Sequence, residues 1–305
     1  MGAGRRGVDM GPSALRLADL FTKLAELKDV SSVTDTGNIH VPTREEMADA
    51  GELDDKVVNA RNHRPIGAAV ASLTEVVEDI VTRGSVPLVL GGDHSLAAGS
   101  MSGTQRARVA AGQAKAGLLW IDAHMDMNTP ETSPSGNLHG MPLAALLGLE
   151  VPGLSAAVGG PDGMFDPSRV ACVGIRDVDP AERDNMAKLG LIEDHNVFTM
   201  SSIDRHGMAN VMERALNIIA PGVADSFAVS FDADSLDPSV APGVGTPVPG
   251  GISFREGHLI MEMLARHGGM CGLDVVEVNP VLDTRNATAK VAVQMVLSAF
   301  GQTTL

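Results

Sequence analysis

The stretch that decides the fold is "LLWIDAHMDMN", residues 118–128, in which an apolar run meets a set of potential metal ligands. Residues 118–121 are apolar, and Asp122, His124 and Asp126 follow at every second position. Because a strand projects alternate residues to the same side, these three side chains can converge where the strand leaves its sheet. The stretch therefore predicts a buried strand that presents metal ligands at its carboxyl end.

Other apolar runs of the same kind surround this one. Including 116–122, the predicted strands are 86–92, 116–122, 169–177, 226–232 and 272–278. They are nearly continuous rather than alternating, as in parallel strands that are covered on both faces. Helical spacing lies before, between and after them, at 65–84, 182–190, 210–220, 253–269 and 286–301. This alternation predicts an α/β fold, a three-layer αβα sandwich with a central, mainly parallel sheet, and a single domain over residues 1–305.

Composition limits the classes of function. The chain is 44% hydrophobic but only 3% aromatic, so its core must be mainly aliphatic. A formal charge of −15 argues against a general nucleic-acid binder. No apolar run reaches the ~18 residues of a membrane helix, so no membrane association is expected. Cys172 and Cys271 lack metal-type spacing and are expected to be buried and reduced, which, with no apolar signal segment, predicts a cytoplasmic protein.

Polar side chains follow every predicted strand, at the sheet edge where α/β proteins bind ligands. The candidate metal ligands are His94, Asp122, His124, Asp126, Asp232 and Asp234. Two divalent cations would balance the charge of the four carboxylates, so the cluster could be buried. Oxygen-rich ligation with two imidazoles suits Mn²⁺, with Fe²⁺, Co²⁺ and Zn²⁺ as competitors. The residues predict a site for two divalent cations, which could turn a bridging water into hydroxide near neutral pH.

Each motif taken alone has a structural explanation. "GGDHS" (91–95) is as typical of a structural histidine or a helix N-cap as of a ligand. "DADSLDP" (232–238) resembles half of a Ca²⁺ loop but lacks the glycine and the distal glutamate of that motif. Because all the motifs lie at predicted strand ends, the combination favours a metal site.

Together the motifs resemble those of the ureohydrolase superfamily, and specifically of arginases. "GGDHS", "DAHMD", "SFDADSLDP" and "GTPVPGG" occur in the family's order, and the resemblance extends from "RRGVDMGPSALR" to "DTRNATAKVAV". Segments 128–140, 176–182 and 277–289 resemble arginases more than agmatinases. The resemblance implies an arginase/deacetylase-like sheet. Arginases usually carry an apolar strand before "RRGVDMGPSA", and the first strand of the sheet is expected to be missing here.

The resemblance also implies roles for individual residues. His94, Asp122, Asp126 and Asp232 would hold one Mn²⁺, and Asp122, His124, Asp232 and Asp234 the other. The implied catalytic residues are Glu277, which pairs with the guanidinium, Asp126, which relays a proton to the leaving amine, and His139, which exchanges protons with solvent. The implied substrate contacts are Asn128, Ser135 and Asn137 for the α-carboxylate, Asp179 with Glu182 for the α-ammonium, and Thr246 in the pocket wall.

The activity implied is hydrolysis of L-arginine to L-ornithine and urea by a metal-bridging hydroxide, in a homotrimer or homohexamer. Agmatine lacks the carboxylate and would leave its donors unpaired. An agmatinase or another guanidino-acid ureohydrolase stays open as an alternative. So does an inactive metal-binding paralogue with a structural or regulatory role.

Overall fold

The computed structural model describes residues 2–42, 44–51, 58–159, 163–222 and 224–303. The strands are β1 (Leu88–Leu90), β2 (Gly117–Ile121), β3 (Val170–Ile175), β4 (Val197–Thr199), β5 (Phe227–Asp232) and β6 (Met270–Val276). The helices are α1 (Gly11–Leu17), α2 (Leu20–Ala25), α3 (Arg44–Ala50), α4 (His63–Thr82), α5 (Ala97–Ala110), α6 (Pro142–Leu146), α7 (Ser155–Val158), α8 (Pro180–Lys188), α9 (Met200–His206), α10 (Met208–Ile219), α11 (Phe254–His267) and α12 (Ala287–Ala299). The single domain over residues 1–305 stays a prediction.

The six strands form one sheet in the order β1-β6-β5-β2-β3-β4, and every neighbouring pair is parallel. This confirms the predicted α/β class and its parallel sheet. The sheet also holds β4, which sequence reasoning missed because three residues are too few to show a pattern. None of the described residues before Leu88 forms a strand.

Both faces of the sheet are covered. In β2, Leu119 and Ile121 pack with α10, α11 and α12, whereas Leu118 and Trp120 point the other way and pack with α4, α5 and α6. Alternate strand residues thus enter opposite cores, which explains why the strands read as continuous apolar runs. The result is the predicted three-layer sandwich.

The local sequence explains where α11 begins and why α5 has no recognisable helical pattern. Ser253 and Glu256 form a capping box, in which each side chain accepts a hydrogen bond from the other's backbone N–H, at 3.3 and 2.9 Å. Helix α5 lies so close to α4 that a Cβ at Gly99 or Gly103 would stand 2.7 or 2.5 Å from an α4 carbonyl oxygen. Its small residues carry no apolar periodicity, so this helix was not predicted.

The cysteines only partly match the prediction. Both are free thiols, and Cys172 is buried as expected. The prediction of burial is wrong for Cys271, which is partly exposed at the start of β6, where its Sγ donates to the carbonyl of Phe227 at 3.3 Å. Within the described ranges no helix combines the length and the apolarity needed to cross a membrane.

Candidate metal centre

The six predicted metal ligands come together at the carboxyl ends of neighbouring strands. His94 begins a short 3₁₀ turn (His94–Leu96) after β1, and Asp122, His124 and Asp126 follow β2. Asp232 ends β5, and Asp234 lies in the 3₁₀ turn Ala233–Ser235 that follows. Since β1, β6, β5 and β2 are adjacent in the sheet, residues distant in sequence meet in one place.

The first ligand group surrounds His94. Its Nδ1 atom lies 3.2 Å from Asp122 Oδ2, 3.0 Å from Asp126 Oδ2 and 3.0 Å from Asp232 Oδ2. This nitrogen is buried and makes no hydrogen bond of acceptable geometry with any described residue. One imidazole nitrogen facing three carboxylate oxygens is a set of donors that fits a divalent cation.

The second group surrounds His124. Its Nδ1 lies 3.4 Å from Asp122 Oδ1 and 3.3 Å from Asp234 Oδ2. The ligand atoms of Asp122, His124 and Asp234 all lie within 4.8 Å of one another, as do those of His94, Asp122 and Asp232. The carboxylate of Asp122 belongs to both groups, so the arrangement accommodates two cations that share a ligand.

The charges of the cluster oppose one another. Burial, followed by repulsion from Asp234 and Asp122, raises the pKa of Asp232 well above its ordinary value. Burial and the neighbouring Asp122 also raise the pKa of Asp126, to about 6. Burial alone would lower the pKa of His94, but the carboxylates around it raise that pKa instead. A divalent cation would reduce the repulsion between these carboxylates, as protonation of one of them would.

A buried hydrogen-bonded chain supports His94 from behind. His94 Nε2 lies 2.8 Å from Ser230 Oγ, which donates to Asp274 Oδ1 at 2.7 Å, and Ser100 Oγ donates to Asp274 Oδ2 at 2.5 Å. Since Ser230 has one hydroxyl hydrogen and gives it to Asp274, it must accept from His94 Nε2–H. This arrangement leaves Nδ1 of a neutral His94 free to bind a metal ion.

Trp120 contributes a second support. Its ring stacks on the imidazole of His94, with 4.1 Å between centroids and 5° between planes, and its Nε1 donates to Asp122 Oδ2 at 3.0 Å. Sequence reasoning missed Trp120, Ser230 and Asp274 as supporting residues. The available signal was a polar side chain inside an apolar strand, most clearly Asp274 in "GLDVVEV".

Glu277 joins the ligand cluster to His139. Glu277 Oε1 accepts from the backbone N–H of His94 at 3.0 Å and lies 3.2 Å from His139 Nδ1. Burial would lower the pKa of His139, but the hydrogen bond and the charge of Glu277 raise it to about 9. Glu277 Oε2 is buried and accepts no hydrogen bond from the described residues. It therefore has the capacity to bind a cationic donor group.

Two of the predicted catalytic residues have left-handed backbones. Asp126 has φ 53° and Glu277 has φ 61°, a region that residues with a Cβ adopt rarely. The backbone N–H of Glu277 donates to Gly92 O at 2.9 Å, and Ala144 N–H donates to Asp126 O at 3.2 Å. These bonds hold both residues at the sharp turns that point their carboxylates towards the cluster.

A cavity of about 510 Å³ opens beside the cluster. Its described lining includes His124, His139, Glu277, Asn137 and Thr246. Thr246 Oγ1 also donates to Asp234 Oδ2 at 2.7 Å, which ties the cavity wall to a ligand. The structure thus brings these predicted site residues around one opening.

Four predicted substrate contacts do not line this cavity and face one another or the backbone instead. Asn128 Nδ2 donates to Asp179 Oδ2 at 3.2 Å, and Ser135 Oγ accepts from a neighbouring backbone N–H. Glu182 accepts from the backbone N–H groups of Met127 at 3.0 Å and Asp179 at 2.9 Å. Its burial raises the pKa of Glu182 to about 7. These residues stay predictions as substrate contacts, and the geometry of Glu182 is that of a brace between two loops.

Comparison with known proteins supports the resemblance inferred from the motifs. The sequence profile of the arginase family matches residues 1–301. A curated arginase of Bacillus caldovelox is 43% identical over 99% of this chain and 95% of its own length, and that of Brevibacillus brevis is 44% identical over 99% and 94%. The crystal structure of the Bacillus caldovelox arginase at pH 5.6 superposes with a TM-score of 0.90 and 41% identity, covering 100% of this chain and 97% of that one.

Proposed function

Because the chain belongs to the arginase family, we propose that it hydrolyses the guanidino group of L-arginine to give L-ornithine and urea. One observation carries the proposal: Glu277 lines the cavity, and its buried Oε2 accepts no hydrogen bond from any residue that the structure describes. A planar guanidinium offers paired N–H donors that match a carboxylate. Gly245, whose added Cβ would lie 3.4 Å from this oxygen, leaves room for the substrate there.

We propose that the metal cofactor is a pair of Mn²⁺ ions. His94 and Asp126 would serve one ion, His124 and Asp234 the other, and Asp122 with Asp232 would bridge. The convergent donor atoms described above support this assignment, and the oxygen-rich set with two imidazoles suits Mn²⁺. When bound, the two ions would lower the pKa of a water molecule so that hydroxide could attack the guanidinium carbon near neutral pH.

The chain's own residues would orient the substrate and move protons. Glu277 would hold the guanidinium so that its carbon faces the ligand cluster. The leaving amine needs a proton, and Asp126, whose carboxylate lies within the cluster, would deliver it. His139 lines the cavity and lies 3.2 Å from Glu277, so it would exchange protons between the site and solvent.

Selection for an amino acid would come from the outer part of the site. Asn137 lines the cavity and offers a neutral donor for the α-carboxylate. Asn128, Ser135, Asp179 and Glu182 would complete the contacts to the amino-acid end, directly or through water. We also propose that the protein is cytoplasmic and that it forms a homotrimer or homohexamer. Sedimentation would test the oligomeric state.

The decisive test is urea release from L-arginine and from agmatine, measured side by side after incubation with Mn²⁺ and after chelation. We expect urea from L-arginine only, and its loss on chelation. Urea from agmatine instead would replace the proposal with the agmatinase alternative and refute the roles given to the α-carboxylate contacts. No urea from either substrate, with Mn²⁺ bound, would favour another guanidino substrate or the inactive paralogue.

A further inference from the structure

Arg176 follows β3 and directs its guanidinium at backbone carbonyls. No described carboxylate lies within ion-pair distance of it, although the ligand cluster is nearby. The accepting carbonyl oxygens are those of Gly174 (3.2 Å), Asp234 (2.7 Å), Ser235 (3.0 Å), Leu236 (3.3 Å) and Val248 (2.8 and 3.1 Å). These carbonyls provide hydrogen-bond acceptors for all the N–H groups of the guanidinium.

Apart from the Gly174 carbonyl, which lies in β3, the carbonyls belong to two segments that carry site residues. Residues 234–236 include the ligand Asp234, and Val248 follows Thr246 by two positions. On the cavity side, Thr246 Oγ1 donates to Asp234 Oδ2 at 2.7 Å. Arg176 therefore joins the same two segments through their backbones that Thr246 joins through a side chain.

The space for the guanidinium is specific. An added Cβ at Gly251 would lie 2.6 Å from Arg176 Nη2, so the chain opposite has no side chain at that point. Arg176 itself does not line the cavity and makes no contact with the predicted substrate groups. Its influence on the site must pass through the backbone that it holds.

The other ligand group has a separate support. His94 is held by Ser230 and Asp274, on the side of the sheet that includes β5 and β6. None of the carbonyls that accept from Arg176 belongs to His94, Ser230 or Asp274. His94 thus has a hydrogen-bonded support that Arg176 does not share, whereas Asp232 accepts from the backbone N–H of Asp234 at 2.7 Å and borders the segment that Arg176 binds.

We propose that Arg176 is a positioning residue for the half of the metal centre formed by Asp122, His124 and Asp234, an inference that rests on the proposed two-metal function. Losing the guanidinium would let residues 234–236 and 246–248 separate. The cation held by His124 and Asp234 would then bind more weakly, while the cation held by His94 and Asp232 would be retained.

The chain offers a matched control at the other end of the same strand. Arg169 precedes β3, and its guanidinium donates to the carbonyls of Lys115 at 3.0 Å and Ile219 at 2.8 Å. Arg169→Met therefore removes an arginine that also binds backbone carbonyls, but far from the cluster. Arg176→Met keeps the aliphatic stem, and Arg176→Lys keeps the charge with fewer donors.

The test is titration of the chelated full-length protein with Mn²⁺ by calorimetry, with paramagnetic resonance to detect a coupled metal pair. We expect Arg176→Met to bind one Mn²⁺ as the wild type does and the second about 10- to 100-fold more weakly, with loss of the pair signal at limiting metal. Arg176→Lys should show a smaller loss and keep the fold, as checked by near-UV circular dichroism. Arg169→Met should bind both ions normally.

Two results would overturn the proposal: normal affinity for both ions in the Arg176 variants, or an equal loss of both ions. A wild type that binds a single Mn²⁺ would overturn it as well. The readout does not depend on turnover. A wild type that binds two ions but releases no urea would refute the proposed reaction and leave this test valid.

Discussion

Ser230→Ala removes a residue that supports the candidate metal ligand His94 without changing His94 itself. The substitution removes one buried oxygen atom and leaves His94 and the four carboxylates in place. It breaks the chain in which His94 Nε2–H donates to Ser230, at 2.8 Å, and Ser230 donates to Asp274, at 2.7 Å. His94 Nε2 then loses its hydrogen-bond acceptor, so only the stacked Trp120 ring still restrains the imidazole from this side, and Asp274 loses one of its two hydroxyl donors and keeps Ser100.

The expected magnitude follows from the two lost bonds. Removal of a residue that orients a metal-bound histidine lowers metal affinity about 10- to 100-fold, which is about 1.4–2.7 kcal/mol. Leaving a buried polar atom without its partner costs the fold about 1–3 kcal/mol. We therefore expect Ser230→Ala to weaken Mn²⁺ binding 10- to 100-fold and to lower the free energy of unfolding as well.

The assay is Mn²⁺ titration of the chelated protein, together with urea denaturation. Ser298→Ala is a matched control, because Ser298 Oγ also lies 2.8 Å from a histidine nitrogen, His258 Nδ1, but far from the cluster. Both variants should lose stability, and only Ser230→Ala should lose Mn²⁺ affinity. An unchanged Mn²⁺ dissociation constant in Ser230→Ala would refute the reasoning that this chain prepares His94 for the metal.

Three further predictions concern catalysis, backbone and pH. Glu277→Gln should lower kcat/KM for L-arginine by about 10²–10⁴, because it weakens two charge-assisted hydrogen bonds of about 1.5–3 kcal/mol each. The Mn²⁺ content, measured by atomic absorption, should stay at the wild-type level. Full activity of the variant would exclude Glu277 from guanidinium binding. Gly174 has φ 96°, and an added Cβ would lie 2.9 Å from Ile252 Cδ1, so Gly174→Ala should lower the free energy of unfolding in urea by about 2–4 kcal/mol. Gly190 has φ 73° but faces open space, so Gly190→Ala should lower it by about 1 kcal/mol. Equal losses in the two variants would contradict the effect of the close contact. Burial raises the pKa of Glu182 to about 7, so the folded state binds its proton more tightly than the unfolded chain does, and stability falls as pH rises from about 4.5 to 7. Relative to Glu182→Gln, the wild type should lose about 2–3 kcal/mol between pH 5 and pH 8 in chemical denaturation, and a gain over that range would reverse the sign we assign.

The long elements of the fold could be predicted because each carries its own periodic signal. The five predicted strands and α4, α8, α10, α11 and α12 are found within a few residues of the predicted bounds. Helix α5 was hidden because its contact with α4 is made by glycines rather than by an apolar stripe. Strand β4 was hidden because its three residues form a strand only by pairing with β3.

The convergence of the candidate ligands could be predicted from the sequence, but the residues that support them could not. Candidate ligands such as Asp122 and Asp232 stand where apolar runs end, so a rule about sheet edges predicts that they lie close together. Ser230 and Asp274 contact each other across two neighbouring strands, and that pairing depends on register, which the sequence does not display. The donors of Arg176 likewise reach segments that only the folded loops bring together.

The order of strands in the sheet has a consequence for biosynthesis. Strands β5 and β6 lie between β1 and β2, although they are made last. At about 5–20 residues per second, a ribosome needs roughly 10–40 s to add the 183 residues that separate His94 from Glu277. Until β5 and β6 have been made within that interval, the edges of β1 and β2 that face them are unpaired, and His94 has none of its β5 partners. The nascent chain is therefore most exposed to aggregation before its last third emerges, and the candidate metal ligands cannot all meet until β5 has been made.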